Sequence, residues 1–169
     1  MKSTIATVAI LALFGLVVGV GAIAATEATV SATVTSQLVA ITVADGNVAY
    51  GILPVNTNAD TVTLGQTQVV TNGGNVNVDL SVKSSDAVGR TNWNLAATNA
   101  ALNEFTHEFS SNSGVAYTGF NVDNITYISL VAGVIPTGTQ NLDLKIKTPA
   151  SVTDNAQKAI TITVLATAS

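Results

Sequence analysis

His107 is the only histidine in the 169-residue chain, which contains no cysteine. Histidine has an unperturbed pKa near neutrality, so it is the first candidate for acid–base chemistry. It alternates with Phe105 and Phe109, which places the three rings on one face of a strand. Glu108 points to the opposite face, and the chain has no G-x-S-x-G nucleophile motif. The sequence therefore predicts a partly buried histidine and no catalytic residues.

Glu104 and Glu108 are the nearest approach to a glycosidase carboxylate pair. Four residues along a strand span about 13 Å. Glycosidases need separations of roughly 5 to 9.5 Å. We therefore interpret both residues as solvated carboxylates.

Oxygen-rich segments raise the question of a calcium site. Asn56, Asn58 and Asp60 alternate like the start of a calcium-binding loop, but Thr61 and Thr67 stand where that loop needs glycine and glutamate. Asn and Asp also serve as ordinary turn residues. Calcium is thus the one cofactor that the sequence leaves open, and its weak candidate ligands are Asp45, Asn47, Asn56, Asn58, Asp60 and Asp123.

Trp93 is the single tryptophan. In a β-sandwich a lone tryptophan commonly fills the core. The alternative is a stacking platform for a sugar ring, to which Tyr50 and other aromatic residues could contribute. Trp93 and Tyr50 are therefore the candidate binding residues.

The elements that must position these side chains are strands. Apolar and polar residues alternate over 76–82, 142–146 and 160–164, which is typical of antiparallel strands with one buried face. Further strand candidates are 47–53, 61–71, 91–97, 104–110, 115–120 and 125–131. We predict an all-β fold, an antiparallel β-sandwich of immunoglobulin-like or jelly-roll type with about nine or ten strands.

Two local features refine this prediction. The segment 72–75 reads Asn-Gly-Gly-Asn, which favours a hairpin turn. Apolar residues occupy even positions over 30–34 and odd positions over 39–43, which predicts a bulge or sheet switch between two strand segments.

Residues 1–24 are typical of a signal peptide. Lys2 precedes an apolar run over 5–20, and Ala22 and Ala24 fit the small-residue rule for cleavage after Ala24 or one residue later. The alternative is a retained N-terminal membrane anchor. We predict export, with an N-terminal signal helix followed by a single domain over 25–169.

Composition excludes several classes. Six basic against ten acidic residues give a net charge of −4, which argues against nucleic-acid binding. Without cysteine there can be no disulfide scaffold or thiol enzyme. A chain that is 47% hydrophobic and 9% charged is expected to fold.

Two segments resemble a known family. Residues 48–51 read Val-Ala-Tyr-Gly, and the segment 84–95 leads into Trp93-Asn94-Leu95. Together they resemble the first half of the WxL-type surface domain of Gram-positive bacteria. The resemblance implies an exported, β-rich protein that associates non-covalently with the cell wall.

From these observations we expect a secreted or cell-surface, non-enzymatic structural or adhesion protein. Its expected partners are a cell-wall polymer or other surface proteins, with no nucleic acid and no small-molecule cofactor. Residues 26–35 form a β-prone arm that could complete its own sheet or the open edge of a neighbour, giving self-association. The alternative is a carbohydrate- or wall-polymer-binding module.

Overall fold

The fold is known from a computed structural model, which describes residues 29–169. The predicted signal peptide and the first residues of the predicted domain lie outside the described residues. The chain divides into two units, Met1–Thr35 and Ser36–Ser169. Over 29–169, no helix has the length and apolar character needed to cross a membrane.

Strands dominate the described residues, which confirms the all-β prediction. Ten strands and one short helix form between residues 29 and 169. They are β1 (Ile41–Ala44), β2 (Asn58–Asp60), α1 (Thr61–Leu64), β3 (Gln68–Asn72), β4 (Val78–Ser84), β5 (Asn94–Leu95), β6 (Glu104–Ser110), β7 (Thr118–Gly119), β8 (Ile128–Val134), β9 (Thr139–Lys147) and β10 (Ile162–Ala168).

The strands form two sheets. The larger sheet has seven strands in the order β1-β3-β9-β6-β5, with β2 also paired to β9 and β7 to β6. The smaller sheet has three strands in the order β10-β4-β8. The strand pairs are antiparallel except for the short β5–β6 pair.

The inward faces of both sheets build one core. On β4, Val78, Leu80 and Val82 are fully buried, while the residues between them are partly exposed. On β9, Leu144 and Ile146 are also buried and belong to the same apolar cluster. The predicted two-residue alternation is therefore confirmed on β4, whereas on β9 it breaks at Asp143, which is fully buried and accepts hydrogen bonds from the hydroxyls of Thr61 and Thr67.

The predicted strand over 61–71 is wrong in its first half, where α1 forms. The Asp60 carboxylate accepts hydrogen bonds from the backbone N–H and the hydroxyl of Thr63 and so caps the helix. Gly65, at φ 67°, ends the helix in the left-handed conformation that glycine tolerates best. This local capping outweighs the β propensity of the threonines and valine.

The predicted hairpin at 72–75 is also wrong. Its flanking strands, β3 and β4, belong to different sheets, so the turn carries the chain between layers. Asn72 is buried, and its Nδ2 donates to the carbonyls of Val76 and Val134. A Cβ on Gly74 would lie 2.3 Å from the Leu38 carbonyl oxygen, so the turn packs directly against the segment before β1.

Four other strand predictions fail or shrink. Residues 47–53 form no strand, because side chains serve their backbone instead: the Gln66 amide bonds both the N–H and the carbonyl of Ala49. The predicted strands at 91–97 and 115–120 shrink to the two-residue strands β5 and β7. No strand forms over 30–34, so the bulge or sheet switch predicted between 30–34 and 39–43 does not lie between two strands.

Candidate functional site

His107 lies at the centre of a buried polar cluster that joins the two sheets. Its Nδ1 is 2.7 Å from the Ser84 hydroxyl on β4, and its Nε2 is 3.2 Å from the Tyr50 hydroxyl. Only 1% of His107 and 2% of Ser84 is exposed. Phe105 and Phe120 pack beside the imidazole, with ring centres 6.3 and 5.1 Å away.

Burial controls the ionisation of this cluster. It lowers the pKa of His107 to about 3, because a buried site disfavours the charged imidazolium. It also raises the pKa of Tyr50, with smaller contributions from the charges of Tyr117 and Asp60. Both groups are therefore neutral at pH 7. A neutral imidazole has one donor and one acceptor nitrogen, so it can satisfy one hydroxyl in each role.

The contact between Ser84 and His107 resembles the nucleophile–base pair of a hydrolase, but the third group differs. A catalytic triad orients the imidazole through a carboxylate on its second nitrogen. Here that nitrogen faces the Tyr50 hydroxyl instead. The predicted partly buried histidine is in fact fully buried, since Tyr50 and Phe120 cover it as well as its neighbours on β6.

Ser84 was not recognised from the sequence, although a signal for it exists. It continues the even-numbered series of Val78, Leu80 and Val82 onto the inward face of β4. Extending the alternation by two residues would have predicted a hydroxyl inside the core.

Trp93 lies half-buried beside a groove. It is thus neither a fully buried core residue nor a fully exposed platform, the two alternatives that the sequence left open. Its ring packs against Phe105 at a centroid distance of 6.4 Å, and Lys158 Nζ lies 5.6 Å from the ring centre. Lys158 is also 2.6 Å from an Asp154 oxygen. That hydrogen bond, followed by one from Thr91, lowers the pKa of Asp154. Within the described residues, Trp93 Nε1 is buried without a hydrogen-bond partner.

We call this depression the Trp93 groove. It has a volume of about 560 Å³ and is lined chiefly by 48–55, Trp93 and 154–158. Tyr50 is part of its lining, so the structure brings the two predicted binding residues to the same groove. Ile52, within the lining segment 48–55, is fully exposed.

The two remaining tyrosines, Tyr117 and Tyr127, do not line the groove. Tyr127 lies under Lys83, and Tyr117 lies under Lys145, at 5.0 and 4.8 Å from ring centre to Nζ. Lys145 in turn forms an ion pair with Glu108. A continuous aromatic platform on one sheet face is therefore not formed by these residues.

Most of the candidate calcium ligands lie in separate turns. Asp45 has a positive φ directly after β1, and the Asn47 carbonyl accepts from Gln68 Nε2. Asn56 accepts a hydrogen bond from the Asn99 amide, and Asn58 is exposed on β2. Across 29–169, no three His, Asp or Glu side chains gather as a metal-ion site.

Two of the candidate carboxylates, Asp60 and Asp123, already accept hydrogen bonds from nearby backbone N–H groups. Asp60 caps α1. Asp123 accepts from the hydroxyl and N–H of Thr126 and from the N–H of Ile125. These bonds, chiefly from the Thr126 hydroxyl, lower the pKa of Asp123. Calcium binding stays a prediction without a shared ligand cluster behind it.

A second depression lies between the edges of the two sheets, and we call it the β1–β10 cleft. It has a volume of about 440 Å³. Its walls include Val43 of β1, Leu144 of β9, and Ile162 and Val164 of β10. Gln68 also lines it, and the Gln68 Oε1 is buried without a hydrogen-bond partner among the described residues. The sequence patterns did not indicate this cleft.

Comparison with protein-family models, with curated proteins and with solved structures finds no match to this chain. Three places in the described residues combine functional side chains with a defined geometry: the His107 cluster, the Trp93 groove and the β1–β10 cleft.

Proposed function

We propose that this protein is a non-enzymatic structural protein that is exported and acts at the cell surface or outside the cell. In this proposal its two packed sheets form a β-sandwich of immunoglobulin-like or jelly-roll type. Its partners are a cell-wall polymer, other surface proteins or further copies of itself.

The proposal rests chiefly on the position of His107, the single side chain with an ordinary pKa near neutrality. His107 is buried with Ser84 and Tyr50, and the three side chains join β6, β4 and the segment before β2. Its pKa of about 3 makes the imidazole a weak base at neutral pH. The group best suited to acid–base chemistry thus acts as a brace between the sheets.

The N-terminal sequence supports the proposed location. A basic residue, an apolar run and Ala22-x-Ala24 form the expected order of an export signal. The resemblance of 84–95 to a WxL-type segment supports surface association.

The proposal is tested by fractionating producing cells and medium and sequencing the N-terminus of the product. We expect the product in the wall or medium fraction, beginning at Ala25 or Thr26. Full-length chain confined to the cell interior would overturn the proposal.

The Trp93 groove favours a second function, binding of a carbohydrate or wall polymer. The groove brings Trp93 and Tyr50 together beside the paired Lys158 and Asp154, and aromatic side chains with a few polar groups are typical of ligand pockets. Co-sedimentation with insoluble peptidoglycan would test it. In that case Trp93→Ala should reduce the bound fraction at least several-fold, while Tyr127→Ala, outside the groove lining, should leave it unchanged.

A further inference from the structure

The smaller sheet ends at β10 in an edge that can accept another strand. β10 pairs with β4 in unbroken register from Ile162 to Ala168, and β4 is its one neighbour among the described strands. The strand contains no charged residue and no proline, the features that normally protect an edge. The opposite edge strand, β8, is protected by register shifts along its pairing with β4.

Hydrogen bonds at both ends of β10 show which backbone groups face the free edge. Thr161 accepts from the Ser85 N–H, and the Ser169 N–H donates to Asn77. Odd-numbered residues of β10 therefore point their backbone groups at β4. The even-numbered residues point theirs outward, since the direction alternates along a strand. These are Ile162, Val164, Ala166 and Ala168.

The same even-numbered side chains face the core but are incompletely covered. Ile162, Val164 and Ala166 are partly buried and pack against the central cluster. Ile162 and Val164 line the β1–β10 cleft together with Val43, which is 37% exposed. A strand added to β10 would lie over the cleft and bury this apolar surface.

The chain carries a segment with the required pattern. Residues 29–35 are uncharged and match the 7-residue length of β10. Val30, Ala32 and Val34 alternate with Ser and Thr, so one face is small and apolar and the other is polar. The segment forms no strand in the structure, and Val30 and Val34 are 92% and 96% exposed.

We propose that residues 29–35 of one copy add as a strand to β10 of a second copy, with Val30, Ala32 and Val34 directed into the β1–β10 cleft. The inference rests on the proposed structural function and names its partner, a second copy of this chain. Each copy offers one donor segment and one acceptor edge. The contact closes as a two-fold exchanged dimer when two copies donate to each other, and it builds a larger ring or a filament when each copy donates to the next.

Disulfide trapping tests this pairing directly, because the natural chain has no cysteine. Chains beginning at Ala25 would carry one substitution each, Ala32→Cys in the donor and Ile162→Cys, Val164→Cys or Ala166→Cys in the acceptor. Each acceptor would be mixed with the donor under mild oxidation. Paired strands bring same-face residues to Cα distances that a disulfide can bridge. We expect a cross-linked dimer with at least one of the three acceptors.

The matched control uses the opposite face of the same strand. Leu165→Cys is on β10 but outside the core, and Leu165 is 41% exposed. It should cross-link to Ala32→Cys at least tenfold less, because the two side chains lie on opposite faces. Random collision would give the reverse order, favouring the exposed position. Thermal melting of each variant verifies that it folds.

Three results would overturn the inference. The first is equal trapping at Leu165→Cys and the even positions. The second is no trapping at any even position while all variants melt like the parent chain. The third comes from a separate chain that carries both Ala32→Cys and Val164→Cys: a disulfide formed only within that chain would mean that the segment fills its own cleft. None of these depends on where the protein is found, so export and wall association are judged separately by fractionation.

Discussion

The central strand β4 and the edge strand β10 bury their inward-facing residues to different extents. On β4, which has a strand on each side and the larger sheet opposite, Val78, Leu80 and Val82 are fully buried. On β10, which has a strand on one side, the inward residues Ile162 and Val164 are only partly buried. The inward-facing residues are even-numbered in both strands. The difference arises from strand order, and it separates the part that stabilises the fold from the part available for a partner.

The largest expected effect is a cavity in the middle of the domain. Leu80→Ala should lower the free energy of unfolding by about 2–5 kcal/mol, because the removed methyl groups are fully buried. Val164→Ala on the open side should cost about 1 kcal/mol, since part of its surface is already in water. Urea titrations of both variants measure the contrast. Equal losses would show that the two sides are equally well packed.

The polar brace across the sheets predicts the next effect. Ser84→Ala leaves His107 Nδ1 buried without its partner and should destabilise the protein by about 1–3 kcal/mol. Ser81→Ala, on the other face of β4, should change stability by less than about 0.5 kcal/mol. The same titrations apply. If Ser84→Ala were as stable as Ser81→Ala, the hydrogen bond between Ser84 and His107 would not stabilise the fold.

Burial of His107 also predicts a pH dependence. Its pKa falls from 6.5 in the unfolded chain to about 3 in the folded protein. The unfolded state therefore binds more protons between these values, so stability falls as the pH falls below 6.5. The loss from pH 7 to pH 5 should be about 2 kcal/mol. Carboxylates with a lowered pKa, such as Asp154, add their own loss only below about pH 4.

Unfolding midpoints in urea at pH 7, 6 and 5 measure this dependence. His107→Gln removes the titrating group, so whatever its stability at pH 7, the slope between pH 7 and 5 should be nearly flat. A parent chain that is equally stable at pH 5 and pH 7 would contradict the neutral, buried imidazole.

The smallest effect is expected on the outer surface. Glu108 and Lys145 form an ion pair whose side chains are each 29% exposed. Exposed pairs contribute little because water screens them and both side chains lose freedom. Glu108→Gln should therefore change the unfolding free energy by less than about 1 kcal/mol in urea titrations. A loss as large as that of Leu80→Ala would mean that the outer face stabilises the fold as strongly as the core.

Much of the β character was predictable, because the alternation in β4 and β6 reflects one buried and one wetter face. Strand order was not predictable, since it depends on contacts between segments far apart in sequence. The turn at 72–75 illustrates this: its residues suit a hairpin, but Asn72 and Gly74 instead fix a crossover between sheets. Likewise, Asp60 changed a β-prone run into a helical turn through one cap.

The candidate sites also combine features that the local sequence predicts with features that depend on tertiary packing. The rings around His107 follow from local spacing, whereas its partners Ser84 and Tyr50 come from other segments and depend on tertiary packing. The groove shared by Tyr50 and Trp93 likewise requires the fold. The β1–β10 cleft has no local signature, because it results from the absence of a neighbouring strand beside β10 among the described residues.

The most direct test of the open β10 edge is residue-resolved amide hydrogen exchange on the chain beginning at Ala25, measured from dilute to concentrated solution. In dilute solution the N–H groups of Thr163 and Leu165 should be protected by β4, while those of Val164 and Ala166 exchange rapidly. In concentrated solution the latter pair should become protected as strands add. Equal protection of all four in dilute solution, or no gain for Val164 and Ala166 on assembly, would contradict the account.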